Sequence, residues 1–220
     1  EATCAAANGE LNTTFTGGSG PVSYLWSDGS TNATLSNLLA GNYDVIVIDA
    51  NGCTFTITSS ISNTAAPVIA SVNGSSLTCF NSNDGSITIN ANSGTAPLQY
   101  SIDNGSNFQL LNSFTSLSPG NYNIVVEDAL GCQTTSSIIL TEPSQLTVAN
   151  QLTNTTCSQQ NGAISIVANG GTSPYTYSID GRTTQQANGN FNNINAGNYS
   201  VLVTDDNGCP ESMSVTIQNQ

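Results

Sequence analysis

Fourteen residues, AGNYDVIVIDANGC at Ala40 to Cys53, return as PGNYNIVVEDALGC at Pro119 to Cys132 and as AGNYSVLVTDDNGC at Ala196 to Cys209. A chain that writes one segment three times is making three copies of one unit, and that period overrides the domain count suggested by length. Other landmarks keep the same step. The first cysteines, Cys4, Cys79 and Cys157, lie 75 and 78 residues apart. A proline follows each (Pro21, Pro97, Pro174), with a tyrosine three residues later (Tyr24, Tyr100, Tyr177). The repeat places the copies at 1–63, 64–142 and 143–220, the first of them N-terminally truncated.

Within a copy, short apolar runs such as SITIN, PLQYSID, NYNIVVED and TTSSIIL alternate with Gly, Asn and Pro clusters, the mark of strands joined by turns. Only 7% of residues are charged, and the polar remainder is largely Asn, Ser, Thr and Gly, which favour strands and turns over long helices. Each copy offers about six or seven strands, the number expected of an immunoglobulin-like sandwich. The predicted fold is all-β: three tandem immunoglobulin-like β-sandwich repeats in a beads-on-a-string array. Strand alternation puts Tyr43, Val45 and Val47, and likewise Tyr199, Val201 and Val203, on one inward face. Trp26 stands where the other copies have Ile102 and Ile179, so it too is expected to fill a core. Between copies, the apolar stretches around Val68, Ile69 and Val72 and around Leu146 and Val148 are placed to add a strand to the following domain.

Each fourteen-residue motif ends in a turn with Asp first and Gly fourth: Asp49 to Gly52, Asp128 to Gly131, Asp205 to Gly208. That is the type I preference, with Gly supplying the positive φ of the bulge that closes such hairpins. The aspartates are expected to accept backbone N–H bonds. A calcium ion held by Asp49, Asp128 or Asp205 is the sharper alternative, since their oxygens are hard ligands, but the spacing lacks an EF-hand loop and no second carboxylate cluster accompanies it. Tyr43, Tyr122 and Tyr199 follow a Gly-Asn pair at the head of their strand, in the manner of a tyrosine corner, which makes them structural rather than glycan-stacking.

Six cysteines, two per copy, with no histidine and no C-x-x-C pair, predict disulfides and an oxidising compartment. Pairing within copies joins Cys4 to Cys53, Cys79 to Cys132 and Cys157 to Cys209. In strict immunoglobulin topology those partners lie at opposite ends of a sandwich, roughly 17 to 20 Å apart, whereas a disulfide spans Cα separations up to about 7 Å. The alternative staples junctions, Cys53 to Cys79 and Cys132 to Cys157, leaving Cys4 and Cys209 for other repeats. Pairing within copies is the simpler expectation.

One arginine, Arg182, and no lysine stand against fourteen carboxylates, a formal charge of −13. Phosphate backbones need cationic side chains to displace their counterions, so nucleic acid is not an expected partner. Without histidine or lysine there is no Ser-His, Cys-His or Ser-Lys nucleophile system and no Schiff base. No catalytic residue is assigned. No apolar run approaches the roughly twenty residues of a membrane span, so no integral membrane segment is expected.

The combination of T-C, N-G-x-I, G-G-x-x-P-Y-x-Y-S-I-D-G and A-G-N-Y-x-V-x-V-x-D-x-N-G-C resembles the SprB repeat, most closely over Cys157 to Cys209. The first copy departs furthest, with Trp26 for isoleucine and GGSGPVSY before it. The resemblance implies a cell-surface protein exported by type IX secretion, built of many repeats and acting as a gliding-motility adhesin or surface filament. It brings no catalytic or ligand residues and no cofactor. Its implied partners are surface or polysaccharide ligands, or copies of itself in a filament. A calcium-assisted or aromatic carbohydrate-binding module array is the alternative from another functional class.

Overall fold

Alternation of apolar and small polar residues produces nineteen strands and no helix in the computed structural model, which describes all 220 residues, Glu1–Gln220. The first copy supplies β1 (Ala2–Thr3), β2 (Gly9–Asn12), β3 (Ser23–Trp26), β4 (Thr34–Leu38), β5 (Gly41–Ile48), β6 (Thr54–Ile61) and β7 (Asn63–Thr64). The second supplies β8 (Pro67–Ser75), β9 (Gly85–Ser93), β10 (Gln99–Ser101), β11 (Ser113–Leu117), β12 (Gly120–Glu127) and β13 (Gln133–Leu140). The third supplies β14 (Thr147–Thr153), β15 (Gly162–Asn169), β16 (Thr176–Ser178), β17 (Asn190–Ile194), β18 (Gly197–Thr204) and β19 (Pro210–Ile217). The chain divides into two compact units: Glu1–Asn73, Thr88–Ser113 and Tyr122–Ile138 form one, and Gly74–Ile87, Phe114–Asn121 and Ile139–Gln220 the other. The first therefore holds the whole of copy 1 with part of copy 2, and the second the rest of copy 2 with copy 3.

Copy 3 shows the repeat in full. Its two antiparallel sheets have the orders β14-β15-β17 and β16-β18-β19, and the orders β8-β9-β11 and β10-β12-β13 recur in copy 2. The apolar stretches between copies thus become β8 and β14, the first strands of the copies they precede. In copy 1 the corresponding sheets are β2-β4 and β3-β5-β6. This is the immunoglobulin-like sandwich in outline: the first two and the last two strands of the copy pair as neighbours, each connection from β15 through β18 changes sheet, and each sheet turns one face to the other.

Register places the alternation as the sequence demands. In β18, Val201 pairs with Met213 and Val203 with both Tyr177 and Glu211, so Val201 and Val203 face inward together and are fully buried. Ile164 and Ile166 of β15, Val215 and Ile217 of β19, Tyr177 and Leu146 close the same core. Each such side chain removed from water contributes about 1.5–3 kcal/mol. Copy 1 builds its core from Ala2, Trp26, Leu35, Leu38, Val45 and Ile61. Trp26 is 3% exposed, and its indole Nε1 donates to the Asn32 carbonyl at 2.7 Å, so the ring's one polar group is satisfied inside.

Two local devices recur. Gly9, Gly85 and Gly162 open β2, β9 and β15, where a Cβ would stand 3.0, 2.8 and 2.9 Å from the carbonyl oxygens of Leu38, Leu117 and Ile194. Backbone approaches backbone so closely there that no side chain fits, and the register shifts beside Gly9 and Gly162. The segment ahead of each first cysteine runs parallel to the segment after the last strand of its own copy. β1 pairs with β7, Thr155 bridges Asn219, and Leu77 N donates to Thr141 O at 2.9 Å. Ala2, Leu77 and Thr155 are buried by this docking.

Candidate functional site at the junction between copies

The docking builds matching seats for the first cysteines of copies 1 and 3. In copy 1, Cys4 N donates to Thr64 O (3.2 Å), Ala5 N to Asn63 Oδ1 (2.9 Å) and Thr3 N to Asn8 Oδ1 (2.8 Å). In copy 3, Cys157 N donates to Gln220 O (3.0 Å), Ser158 N to Asn219 Oδ1 (2.8 Å) and Thr156 N to Asn161 Oδ1 (3.0 Å). The cysteine and the residue after it both take left-handed backbone, φ 55° and 55° at Cys4 and Ala5, 52° and 57° at Cys157 and Ser158. Copy 2 differs: Asp84 takes the asparagine's place and accepts from Thr78 N and from the Thr78 hydroxyl, Cys79 N donates to Ser82 Oγ (3.3 Å), and the left-handed residue is Asn81 (φ 56°) instead of Cys79.

The second cysteine of each copy closes the hairpin turn, and the turn aspartate fixes it. Asp49 Oδ1 accepts from Asn51 N and Cys53 N (both 2.9 Å), and its Oδ2 from Ser19 N (3.1 Å). Asp128 Oδ1 accepts from Leu130 N and Cys132 N, and Oδ2 from Thr95 N, all at 2.9 Å. Asp205 accepts from Cys209 N and Thr172 N, both at 2.8 Å. Gly52, Gly131 and Gly208 donate back to the aspartate carbonyls at φ 79°, 77° and 82°. One carboxylate thus ties the hairpin to the loop beside it. The Cys53 and Ser19 amides hold the Asp49 carboxyl below its ordinary range. Burial pushes Asp128 up, but the Thr95, Cys132 and Leu130 amides outweigh it and the net direction is down.

The disulfides join a seat to a hairpin of the next copy. Cys4 bonds Cys132 across a Cα separation of 5.4 Å, and Cys79 bonds Cys209 across 5.7 Å. Both pairings expected from sequence are corrected: neither the within-copy set nor Cys53–Cys79 with Cys132–Cys157 forms. Cys53 and Cys157, expected in disulfides, are free and exposed thiols. The reason is length. Cys4 sits beside Thr64, beyond the far end of β6, while Cys53 precedes the eight residues of that strand. At ~3.3 Å per residue that separation is about 25 Å, several times what a disulfide spans. Cys157 and Cys209 are held apart in the same way by β19.

Around the second staple, Asn207 Nδ2 donates to Thr78 O (2.8 Å) and to Thr172 Oγ1 (3.0 Å), and Gly171 N donates to Ser144 O (2.8 Å). An open cleft of about 280 Å³ beside it is lined by Phe80, Asn81, Pro143, Gln145, Asp205 and Glu211 among others. No group of three or more Cys, Asp or Glu side chains is placed to hold a metal ion. The oxygens of Asp49, Asp128 and Asp205 accept backbone amides in all three turns. The Tyr43 hydroxyl donates to Leu39 O (2.9 Å) and that of Tyr199 to Asn195 O (2.8 Å), four residues upstream in each case, which is tyrosine-corner geometry. Tyr122 heads β12 at the same place in copy 2.

Sequence reading missed a second acidic loop. Asp103 accepts from the Ser101 hydroxyl (2.7 Å), Asn107 N (2.9 Å) and Asn107 Nδ2 (2.6 Å). Asp180 accepts from the Ser178 hydroxyl (2.7 Å), Thr184 N (3.0 Å) and the Thr184 hydroxyl (2.5 Å). The Asn107 amide and Ser101 hydroxyl lower Asp103 to about 2, and the Thr184 hydroxyl and amide with Ser178 lower Asp180 to about 2. The signal was the S-I-D pair itself, with Ser two residues before Asp in both copies.

Three segments, residues 1–31, 71–107 and 149–184, match the family model described as the SprB repeat. Each copy thus contains a segment similar to the SprB repeat. The matched segments contain Cys4, Cys79 and Cys157 and end before the hairpins of Cys53, Cys132 and Cys209, so each staple joins a residue inside a matched SprB segment to one outside it. No curated protein matches the chain significantly. Among solved structures, the N-terminal eight Ig domains of Down Syndrome Cell Adhesion Molecule superpose with a TM-score of 0.47 at 12% identity, over 99% of this chain and 35% of that one. The insect immune protein hemolin gives 0.35 at 15% identity, over 100% and 73%. The protocadherin GammaB4 extracellular domain gives 0.33 at 10%, over 99% and 47%.

Proposed function

We propose that this chain is part of a secreted, non-enzymatic cell-surface protein whose repeats serve as structural and adhesive units of a filament or giant adhesin. The observation that carries this reading is the inter-copy staple: the same hairpin turn is built in each copy, the segment ahead of each first cysteine docks on the end of its own copy, and disulfides join first cysteine to following hairpin at both junctions. Disulfides suit an oxidising exterior. The repeated polar groups are spent on the scaffold: Asp49, Asp128 and Asp205 bracket turns, Tyr43 and Tyr199 brace corners, and every buried side-chain polar atom has a hydrogen-bond partner. No cofactor is part of this reading. Export by type IX secretion and a role in gliding motility or attachment belong to it through the SprB likeness. Its partners are surface or polysaccharide ligands and further repeats of its own kind.

Electron microscopy of the native protein, released from the cell surface without reductant, tests the reading. Continuous filaments with domain-sized beads are the expected result. Isolated short rods that bind a glycan array would overturn it in favour of a carbohydrate-binding module.

A further inference from the structure

The pairing rule leaves two ends. A first-type cysteine bonds the second-type cysteine of the following copy, 128 and 130 residues later. Applied to three copies, the rule leaves one first-type cysteine, Cys157, and one second-type cysteine, Cys53, without a partner in this chain. They are complementary in kind, and both thiols are exposed.

Each free cysteine already has the geometry of a bonded counterpart. Cys157 has the left-handed backbone of Cys4, and its amide donates to Gln220 O, three residues past the end of β19, as that of Cys4 donates to Thr64 O, three residues past the end of β6. Cys53 shares the turn of Cys132 and Cys209: its amide donates to the turn aspartate at 2.9 Å, as theirs do at 2.9 and 2.8 Å. Since the seat and the turn are formed whether or not the sulfur is bonded, forming the bond requires no refolding of either.

We infer that Cys157 and Cys53 are the two open poles of a covalent ladder, and that Cys157 of one copy of this chain bonds Cys53 of a second copy, head to tail. The chemistry is thiol–disulfide exchange with a small-molecule disulfide such as oxidised glutathione. The Cys53 thiolate attacks oxidised glutathione, forming a mixed disulfide and releasing one glutathione thiolate. The Cys157 thiolate of the second chain then attacks the Cys53 sulfur, forming the protein–protein bond and releasing the other glutathione. Two protein thiols are oxidised, one glutathione disulfide is reduced to two thiols, and the released thiolates take up the two protons.

The inference rests on the pairing rule, independently of the surface-filament reading: a glycan-binding array would ladder equally, and a filament held by weak contacts would not. The test is incubation of the whole 220-residue chain in a glutathione redox buffer, followed by non-reducing electrophoresis and mass spectrometry. With one Arg and no Lys, trypsin is of no use, and pepsin in acid also quenches exchange. The expected result is a ladder of multimers in which nearly all intermolecular bonds are Cys157–Cys53; random pairing gives only about half. Cys53→Ser alone and Cys157→Ser alone should stay monomeric, while their mixture should stop at a dimer. Peptide mapping of Cys4–Cys132 and Cys79–Cys209 in both variants reports that the fold is intact. Homotypic dimers of either single variant, or monomers capped by glutathione and nothing more, would overturn the proposal.

Discussion

The hairpin aspartates show how much one side chain can organise. Asp128 is 2% exposed and accepts three backbone amides from two separate loops. Replacing it with alanine leaves those donors without a protein acceptor, and Asp128→Ala is expected to lower stability by about 2–4 kcal/mol, read as a fall in the urea midpoint. An unchanged midpoint would mean that water replaces the carboxylate without loss. This role was legible in the sequence, because Asp first and Gly fourth between apolar runs specify a turn that uses its aspartate. Trp26 was legible for a similar reason, since its place in the repeat belongs to an apolar residue. The φ of Cys4 and Cys157 was not, because a cysteine in left-handed backbone follows from the seat around it rather than from its own preference.

At the scale of the element, the strands and hairpins followed from alternation and turn chemistry, both of which are local. The parallel docking of β1 on β7 did not. It joins segments about sixty residues apart with two residues in each strand, too short to leave a pattern. That docking puts the first cysteine at the far end of the sandwich from its own hairpin, so the disulfide partners stayed hidden although the distance objection was already readable. The loops after β10 and β16 carry an acid-sensitive element. Asp103 and Asp180 hold folded values of about 2 against an ordinary 3.8, so their carboxylates are stabilised by folding. A lowered folded value contributes stability that is whole above about pH 4 and is lost as pH falls toward 2. Carboxyl titration by NMR should give midpoints near 2 for both residues, with the Asn107 and Thr184 amides losing exchange protection over the same interval. Midpoints at the ordinary value would refute the loop geometry.

For the whole molecule, the two disulfides change which parts of the chain bear tension. Pull on Glu1 and Gln220, and the shortest covalent route runs to Cys4, crosses to Cys132, returns backward through copy 2 to Cys79, crosses to Cys209 and leaves. That route contains about 70 residues of backbone and spans about 250 Å when taut, against about 790 Å for the unbridged chain. Single-molecule stretching should therefore stop at the shorter length without reductant and reach the longer one with it; the longer length under oxidising conditions would mean the bonds are absent. Residues 5–78 and 133–208 lie on slack loops. Force on the ends is borne by the middle copy between its own two cysteines, in the direction opposite to the chain's numbering, while the sandwiches on either side hang from the line unstretched.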